Sequence, residues 1–397
     1  MRLDQLPPPR VPGQALSTLR APAPAAGPRS PLEALIPSRE TAHGRLHLAE
    51  AILGAAPAFS AEALSALALT DEAVDLRAPL FFDTETTGLA GGTGTLPFLV
   101  GVAEWRGAEA WCLQAHLPAP GEERPLLSWL AERIEASTAL VSFNGKSFDW
   151  PLLRTRYVMN RLRPPPERPH VDLLHCARRV YRHALREVRL TTLEREVLGV
   201  TRVGDLDGAL IPPAWFDYLR TGRVATLRRV LEHNRRDVDS MVRLAAHLAD
   251  AWAGQAALTP AAAFGLATLA VRRGDEARAL ELLTLANQAA GRRPWRVEAL
   301  RLHALVLRRR GQPRRALERL EEALALEPRA PATHLLLSKL LEHELRDYDA
   351  ALRHARAAHE AEPADAHARR VARLQRRAAA AVTPRLLPAA NAAPVTP

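Results

Sequence analysis

The apolar run Leu80-Phe81-Phe82 leads straight into Asp83-Thr84-Glu85-Thr86-Thr87-Gly88, which sets two carboxylates two residues apart. In a strand, side chains two apart leave from the same face, so Asp83 and Glu85 would share one spot. Two acids that close repel each other unless a cation lies between them, which makes the pair a candidate catalytic metal site. A D-x-E pair also ends ordinary strands that run into an acidic turn. What separates the two readings is whether further carboxylates arrive from elsewhere in the chain.

Two other stretches supply them. An apolar run at 139–143 ends in Asn144-Gly145-Lys146-Ser147-Phe148-Asp149, and Pro151 then opens a helix. An acid at a helix N-terminus is favoured by the helix dipole, so Asp149 reads either as a cap or as a third ligand. Asn144 reads as a turn former with Gly145, or as an amide that orients the loop or a substrate. Gly145-Lys146-Ser147 mimics the end of a phosphate-binding loop, but that loop needs glycine at position 140, where Leu140 stands inside the strand. The other stretch is Leu231-Glu232-His233-Asn234-Arg235-Arg236-Asp237-Val238-Asp239, on a helix expected over about 224–251. His233 and Asp237 are four apart and share a face, while Asp239 points elsewhere. A surface His-Asp pair would look the same.

In order and separation, D-x-E, N-x-x-x-F-D and H-x-x-x-D resemble the DEDD family of 3′ to 5′ exonucleases, which have a ribonuclease-H-like fold. The segments FFDTETTGLAGGTGTLPFLVGV, LVSFNGKSFDWPLLRTR, HVDLLH, LTTLEREVLGV, FDYLRTG and EHNRRDVDSM are similar to the YprB-type branch of that superfamily, over about residues 78–252. The resemblance implies that Asp83, Glu85, Asp149 and Asp237 are the four metal-binding carboxylates, with His233 beside the last of them as general base. The spacing here is that of the family's Y-x-x-x-D type with His in place of Tyr; its His type has one more intervening residue. The resemblance also implies that Thr86, Thr87, Gly88, Leu89, Asn144 and Phe148 line a pocket for the terminal nucleotide of a single-stranded DNA or RNA. Two Mg2+ or Mn2+ ions about 3.5–4 Å apart would activate water and stabilise the leaving oxygen of a phosphodiester. Asp83, nearest the sheet core, is the expected bridge between them.

Other polar residues have plainer readings. Gly91-Gly92-Thr93-Gly94-Thr95 is a surface loop or a phosphate contact. Arg154, Arg156, Arg161 and Arg163 hold a nucleic-acid backbone or form a solvated helix face. His170, His175 and Cys176 lack a fourth metal-ligand partner and are assigned to structure, as is Asp172.

The elements that must position these residues form a mixed α/β sheet. Strands are expected at 80–83, 96–105, 110–117, 139–143 and 170–174, with helices at 125–134 and 151–162. The first three strands leave no room for crossover helices, so the sheet is not wholly parallel. Residues 39–77 read as a helical lead-in to a ribonuclease-H-like domain over 78–253. Beyond it the pattern is all-α. Gly274, Ala279, Leu283 and Ala286 recur as Gly311, Ala316, Leu320 and Ala323, and more loosely as Asp347, Ala351, Ala355 and Ala358. The recurrence, near the roughly 34-residue period of helical hairpin arrays, resembles tetratricopeptide repeats over 260–378. Such a stack offers a surface for a protein partner. The rival overall reading is a scaffold in which the repeats recruit a protein and the sheet domain only binds nucleic acid.

Composition limits the rest. The Pro-, Ala- and Arg-rich segments 1–38 and 379–397 cannot bury much apolar surface and are expected to be disordered. The net charge of +10 favours polyanionic partners only weakly, since Arg supplies nearly all of it and Lys146 and Lys339 are the sole lysines. Cys112 and Cys176 lack disulfide or zinc-site spacing, and no long uncharged apolar run exists, so a cytoplasmic protein without membrane contact is expected.

Overall fold

The structure is a computed structural model that describes residues 30–70, 74–88 and 93–382. The chain divides into two units, Met1–Ala257 and Leu258–Pro397.

The first unit is built on a seven-stranded sheet: β1 (Ser38–Thr41), β2 (Gly44–Ala55), β3 (Pro79–Thr86), β4 (Pro97–Arg106), β5 (Glu109–His116), β6 (Ala139–Ser142) and β7 (His170–Asp172), in the order β1-β2-β5-β4-β3-β6-β7. The strands β1 to β5 pair antiparallel, whereas β3–β6 and β6–β7 are parallel. The mixed sheet with flanking helices is the ribonuclease-H-like arrangement that the motif order implied. β3 lies inside the sheet and is buried along nearly its whole length, so its two acids start from a largely desolvated strand.

Helices α1 (Pro31–Leu35), α2 (Ala61–Ala68), α3 (Glu123–Ala136), α4 (Asp149–Met159), α5 (Leu173–Tyr181), α6 (Leu190–Leu193), α7 (Ile211–Thr221) and α8 (Ala225–Ala253) flank the sheet, and α8 packs across β3, β4 and β5. Phe98 stacks on Trp215 of α7 with ring centroids 5.2 Å apart, and Tyr157 of α4 donates from its hydroxyl to the Leu127 carbonyl. These contacts fix α3, α4 and α7 around the sheet.

The lead-in differs from expectation. Residues 38–55 form an antiparallel hairpin, not helices, and Ile36 and Leu32 are already buried in the sheet core. The Ala-Leu-Glu composition favours helix, but the exposed edge of β5 supplies a ladder from His47 to Ala55, and tertiary pairing overrides a weak local preference. The expected tail over 1–38 falls on 1–29, which lie outside the described residues, and on 30–38, which form α1 and the start of β1. The strand expected over 170–174 stops at Asp172, because that side chain caps α5 by accepting from Leu174 N at 3.0 Å.

The second unit is helical: α9 (Pro260–Arg272), α10 (Glu276–Ala286), α11 (Arg296–Arg309), α12 (Pro313–Leu326), α13 (Pro331–Leu340), α14 (Tyr348–Ala357) and α15 (Ala364–Val382), packed mainly as sequential neighbours. Ala279, Leu283, Ala286, Ala316, Leu320, Ala323, Ala351, Ala355 and Ala358 are all buried, which explains their recurrence. Gly274 and Gly311 turn the first two hairpins with φ of 77° and 69°. In the third, the left-handed residue is Arg346 (φ 57°), so the repeat loses its glycine there. Helix α15 continues to Val382, past the expected tail boundary at 379; 383–397 lie outside the described residues. Among the described residues, no helix is long and apolar enough to cross a membrane.

Candidate metal centre

Asp83 sits opposite Gly101 in the β3–β4 register. Its Oδ2 accepts from Asn234 Nδ2 of α8 at 2.8 Å, and Asn234 Oδ1 accepts from Gln114 Nε2 of β5 at 2.9 Å. Asn234 is fully buried and lies directly over Gly101, where an added Cβ would meet Asn234 Oδ1 at 2.0 Å. The glycine is therefore what lets α8 bring an amide down onto the strand and hold Asp83 in one rotamer. Two strands and one helix fix a single carboxylate.

The second motif is shaped by Asp172. Its Oδ1 accepts from Asn144 N at 2.8 Å and its Oδ2 from Lys146 N at 3.3 Å, while it also caps α5. Asn144 takes a left-handed backbone (φ 67°). At Gly145 a Cβ would lie 2.7 Å from Ser142 Cβ and 3.1 Å from Asp149 Oδ2, so close packing explains the Gly-Lys-Ser mimicry. The turn delivers Asp149, buried at the start of α4, to the hydroxyl of Thr84, which donates to Asp149 Oδ1. Asp172 is thus a positioning residue. His170 bonds Ser142 Oγ at 2.8 Å, and the buried Cys176 thiol is pushed up to about 12, which leaves both in structural roles.

The third element is α8. Glu85, His233 and Asp237 offer ligand atoms that all lie within 4.8 Å of one another. His233 Nδ1 is 3.0 Å from both oxygens of Asp205, and its Nε2 is 3.6 Å from Asp237 Oδ2. Arg202 ties the region together: it bonds Asp237, donates from Nη1 to Asp205 Oδ2 at 2.8 Å, and donates from Nε to the buried Glu194 at 2.6 Å. Asp239 pairs with Arg243 instead.

Burial and crowding govern the protonation of the four acids. Asp83 is raised well above the usual carboxylate range, first by burial and then by Asp237, Glu85 and Asp149. Glu85 is pushed up to about 8 by burial, Asp237 and Asp149, with Arg202 opposing. Burial lifts Asp149 to about 6 against the Thr84 hydrogen bond, and lifts Asp237 against His233 and Arg202. Among the described residues, no Arg or Lys pairs with Asp83, Glu85 or Asp149. This donor set, carboxylate oxygens with too little positive charge among them, fits hard divalent cations such as Mg2+ or Mn2+.

The pocket residues are placed differently. Thr86 Oγ1 donates to the Gly88 carbonyl at 3.0 Å and Thr87 Oγ1 accepts from Leu96 N at 3.0 Å, so both hydroxyls close the turn after β3. Asn144 is exposed beyond β6, the parallel neighbour of β3, and Phe148 is half-buried just before Asp149. Leu89, Gly91 and Gly92 lie outside the described residues. Arg156 is buried, bonding Glu123 and the Thr93 carbonyl, so it stands neither on a solvated helix face nor free for a backbone phosphate. Sequence reasoning missed Gly101, Gln114, Glu194, Arg202, Asp205 and Asn234. For Asn234 the signal was an amide inside the H-x-x-x-D turn; for Arg202 and Asp205 there was none beyond the R-x-x-D spacing.

Residues 80–249 match a family model of the RNase_H superfamily. The uncharacterized protein YprB of Bacillus subtilis (strain 168) is 42% identical over 170 residues, which are 42% of this chain and 41% of that relative. The matched segment thus spans about two fifths of the curated relative's length. A family B DNA polymerase from the archaeon Pyrobaculum calidifontis aligns at 17% identity over 59% of this chain and 29% of its own, with a TM-score of 0.34. The family match and the YprB relative support a ribonuclease-H-like nuclease domain at residues 80–249 of this chain.

Proposed function

We propose that the sheet unit is a divalent-metal-dependent exonuclease of the DEDD type that shortens single-stranded nucleic acid from its 3′ end, with Asp83, Glu85, Asp149 and Asp237 as metal ligands. The observation that carries this reading is the meeting of four buried or partly buried carboxylates from three distant segments, of which only Asp237 has a guanidinium partner among the described residues. Such a cluster costs folding free energy and gives a pure nucleic-acid binder nothing, because it repels phosphate. Bound Mg2+ or Mn2+ would supply Lewis-acid activation of water and charge stabilisation at the leaving oxygen.

The chain's own groups do the rest. Asn234 holds Asp83 in place. Asp205 accepts from His233 Nδ1, which leaves the Nε2 lone pair aimed at the Glu85–Asp237 side, ready to take a proton from an attacking water. Asn144 and the 86–88 turn, at the ends of adjacent strands, border the place where a terminal nucleotide would sit. On the same reading the helical hairpins of the second unit form a tetratricopeptide-like surface for a protein partner.

The test is cleavage of 3′- and 5′-labelled single-stranded DNA and RNA with Mn2+ by the wild type and by a double variant, Asp83→Asn with Asp237→Asn. Loss of one electrostatic stabiliser of this kind costs on the order of 10²- to 10³-fold in rate, and the wild-type ladder should shorten from the 3′ end. Full activity in the double variant would remove the site assignment; shortening from the 5′ end would reverse the polarity.

A further inference from the structure

A cleft of about 420 Å³ opens along α5 and the turn after it. His175, Arg178, Arg179, Arg182 and Arg186 line it, against one acid, Glu187. His175, Arg178 and Arg182 are spaced by three and four residues, so they form one stripe about 10 Å long at 1.5 Å rise per residue. Among the described residues, Arg178, Arg182 and Arg186 have no ion-pair partner; Glu187 is taken by Arg189 at 3.1 Å, and Arg179 is held by the Leu67 carbonyl at 2.7 Å. A cleft of similar size, about 440 Å³, borders Asp205 and contains four arginines as well, but Glu232 pairs with Arg235 and Arg236 there at 2.8 and 2.9 Å. Of these two clefts the α5 cleft has the larger excess of positive charge, since the other sets two acids, Asp205 and Glu232, against its four arginines, whereas the single acid of the α5 cleft is itself held by Arg189.

Its place matters as much as its charge. Helix α5 starts at Asp172, the residue that fixes the Asn144 and Lys146 backbone beside Asp149. The basic stripe therefore begins three residues beyond Asp172, on the helix whose first turn is tied to the Asp149 turn. The acid cluster repels a phosphate chain, so affinity for a strand must come from elsewhere on the same unit, and guanidinium forks match phosphate oxygens better than any other side chain. We propose that Arg178, Arg182 and Arg186 bind the phosphate backbone of the single strand whose end enters the acid site. The proposal deepens the nuclease reading and rests on it for the identity of the strand. Its binding partner is a nucleic-acid phosphate chain, not an acidic protein.

The test is binding, read independently of cleavage. Fluorescence anisotropy of a labelled twenty-nucleotide single strand, DNA or RNA, is titrated with the full chain in EDTA between 50 and 200 mM salt. Three neutralised contacts should lower the slope of log affinity against log salt by about 2, since each single-strand phosphate contact contributes about 0.7. The variant Arg178→Ala/Arg182→Ala/Arg186→Ala is expected to show that loss together with at least a tenfold weaker affinity at 50 mM. The matching triple Arg→Lys variant should keep most of the slope. An Ala variant with unchanged affinity and slope, or a Lys variant as weak as the Ala one, overturns the proposal. So does wild-type binding to a polyglutamate peptide with none to the oligonucleotide, which would assign the cleft to an acidic protein. If Asp83→Asn/Asp237→Asn cleaves normally while the Arg variants lose binding, the acid-site reading fails and the basic track stands.

Discussion

In the helical unit, Glu342 is closed off from solvent yet receives Arg373 Nε at 2.6 Å, Arg373 Nη2 at 2.8 Å and Arg377 Nη1 at 3.1 Å, with Arg370 at 3.7 Å. In the sheet unit, Glu85 and Asp149 are buried and Asp83 is partly buried, and among the described residues none of the three pairs with an Arg or Lys, while Asp237 shares Arg202 with Glu194 and Asp205. The arginines hold Glu342 below the usual carboxylate range; burial and mutual repulsion hold the sheet acids above it. Paired with cations, a buried acid serves the fold. Left short of them, it is free to bind something the chain does not contain. The contrast thus separates Glu342 from Asp83, Glu85 and Asp149, with the Arg202-paired Asp237 between them.

The largest expected effect comes from deepening the deficit. Arg202 is the guanidinium beside Glu194, Asp205 and Asp237, and removing one partner of a buried ion pair costs about 3–5 kcal/mol. Arg202→Ala should therefore lower the unfolding free energy of the sheet unit by that amount in EDTA, and Mn2+ should return part of it. Denaturant unfolding with and without metal measures both; a variant as stable as wild type would mean Arg202 does not compensate the acids.

The two regions should also answer pH with opposite signs. Glu85 is raised from 4.5 to about 8, so its contribution to stability is fully present below pH 4.5 and is lost as pH rises through 8. Over that window the metal-free sheet unit should lose roughly 3–5 kcal/mol, from a shift of about 3.5 units. Glu342 is lowered, so its contribution is present above pH 4.5 and is lost as pH falls through its folded value. Hydrogen exchange of β3 and α15 amides at pH 3, 5 and 8 reads the two units separately, with the β3 loss expected between pH 5 and 8 and the α15 loss between pH 5 and 3. Parallel trends in both would erase the distinction.

A smaller effect is expected at Asn234. Residues that orient a ligand typically carry a 10- to 100-fold effect on metal affinity or activity. Asn234→Ala should reduce Mn2+-dependent cleavage by that factor while the helical unit is unaffected, as kinetics and unfolding curves together would show.

How much of this could be read before folding follows from distance along the chain. Asp83 and Glu85 are two apart and His233 and Asp237 four apart, and strand and helix periodicity alone puts each pair on one face. The buried alanines of the hairpin array repeat at a visible interval. By contrast, Asn234 reaches Asp83 across 151 residues and Asp205 reaches His233 across 28, and no local pattern announces either contact. Gly101 looked like any strand glycine until α8 lay on it. The β1–β2 hairpin was hidden because its Ala-Leu-Glu composition speaks for helix, and only the free edge of β5 decides otherwise. The third repeat recurs only loosely because Arg346 takes the left-handed conformation where the first two use glycine.

The central claim is that the sheet acids lack cations because they bind divalent ions. Calorimetric titration of Mn2+ into the full chain at pH 8, compared with Asp83→Asn/Asp237→Asn, tests it most directly. The account predicts binding of two ions per chain in the wild type and loss of that binding in the double variant. Equal binding by both proteins, or none by the wild type, would contradict it.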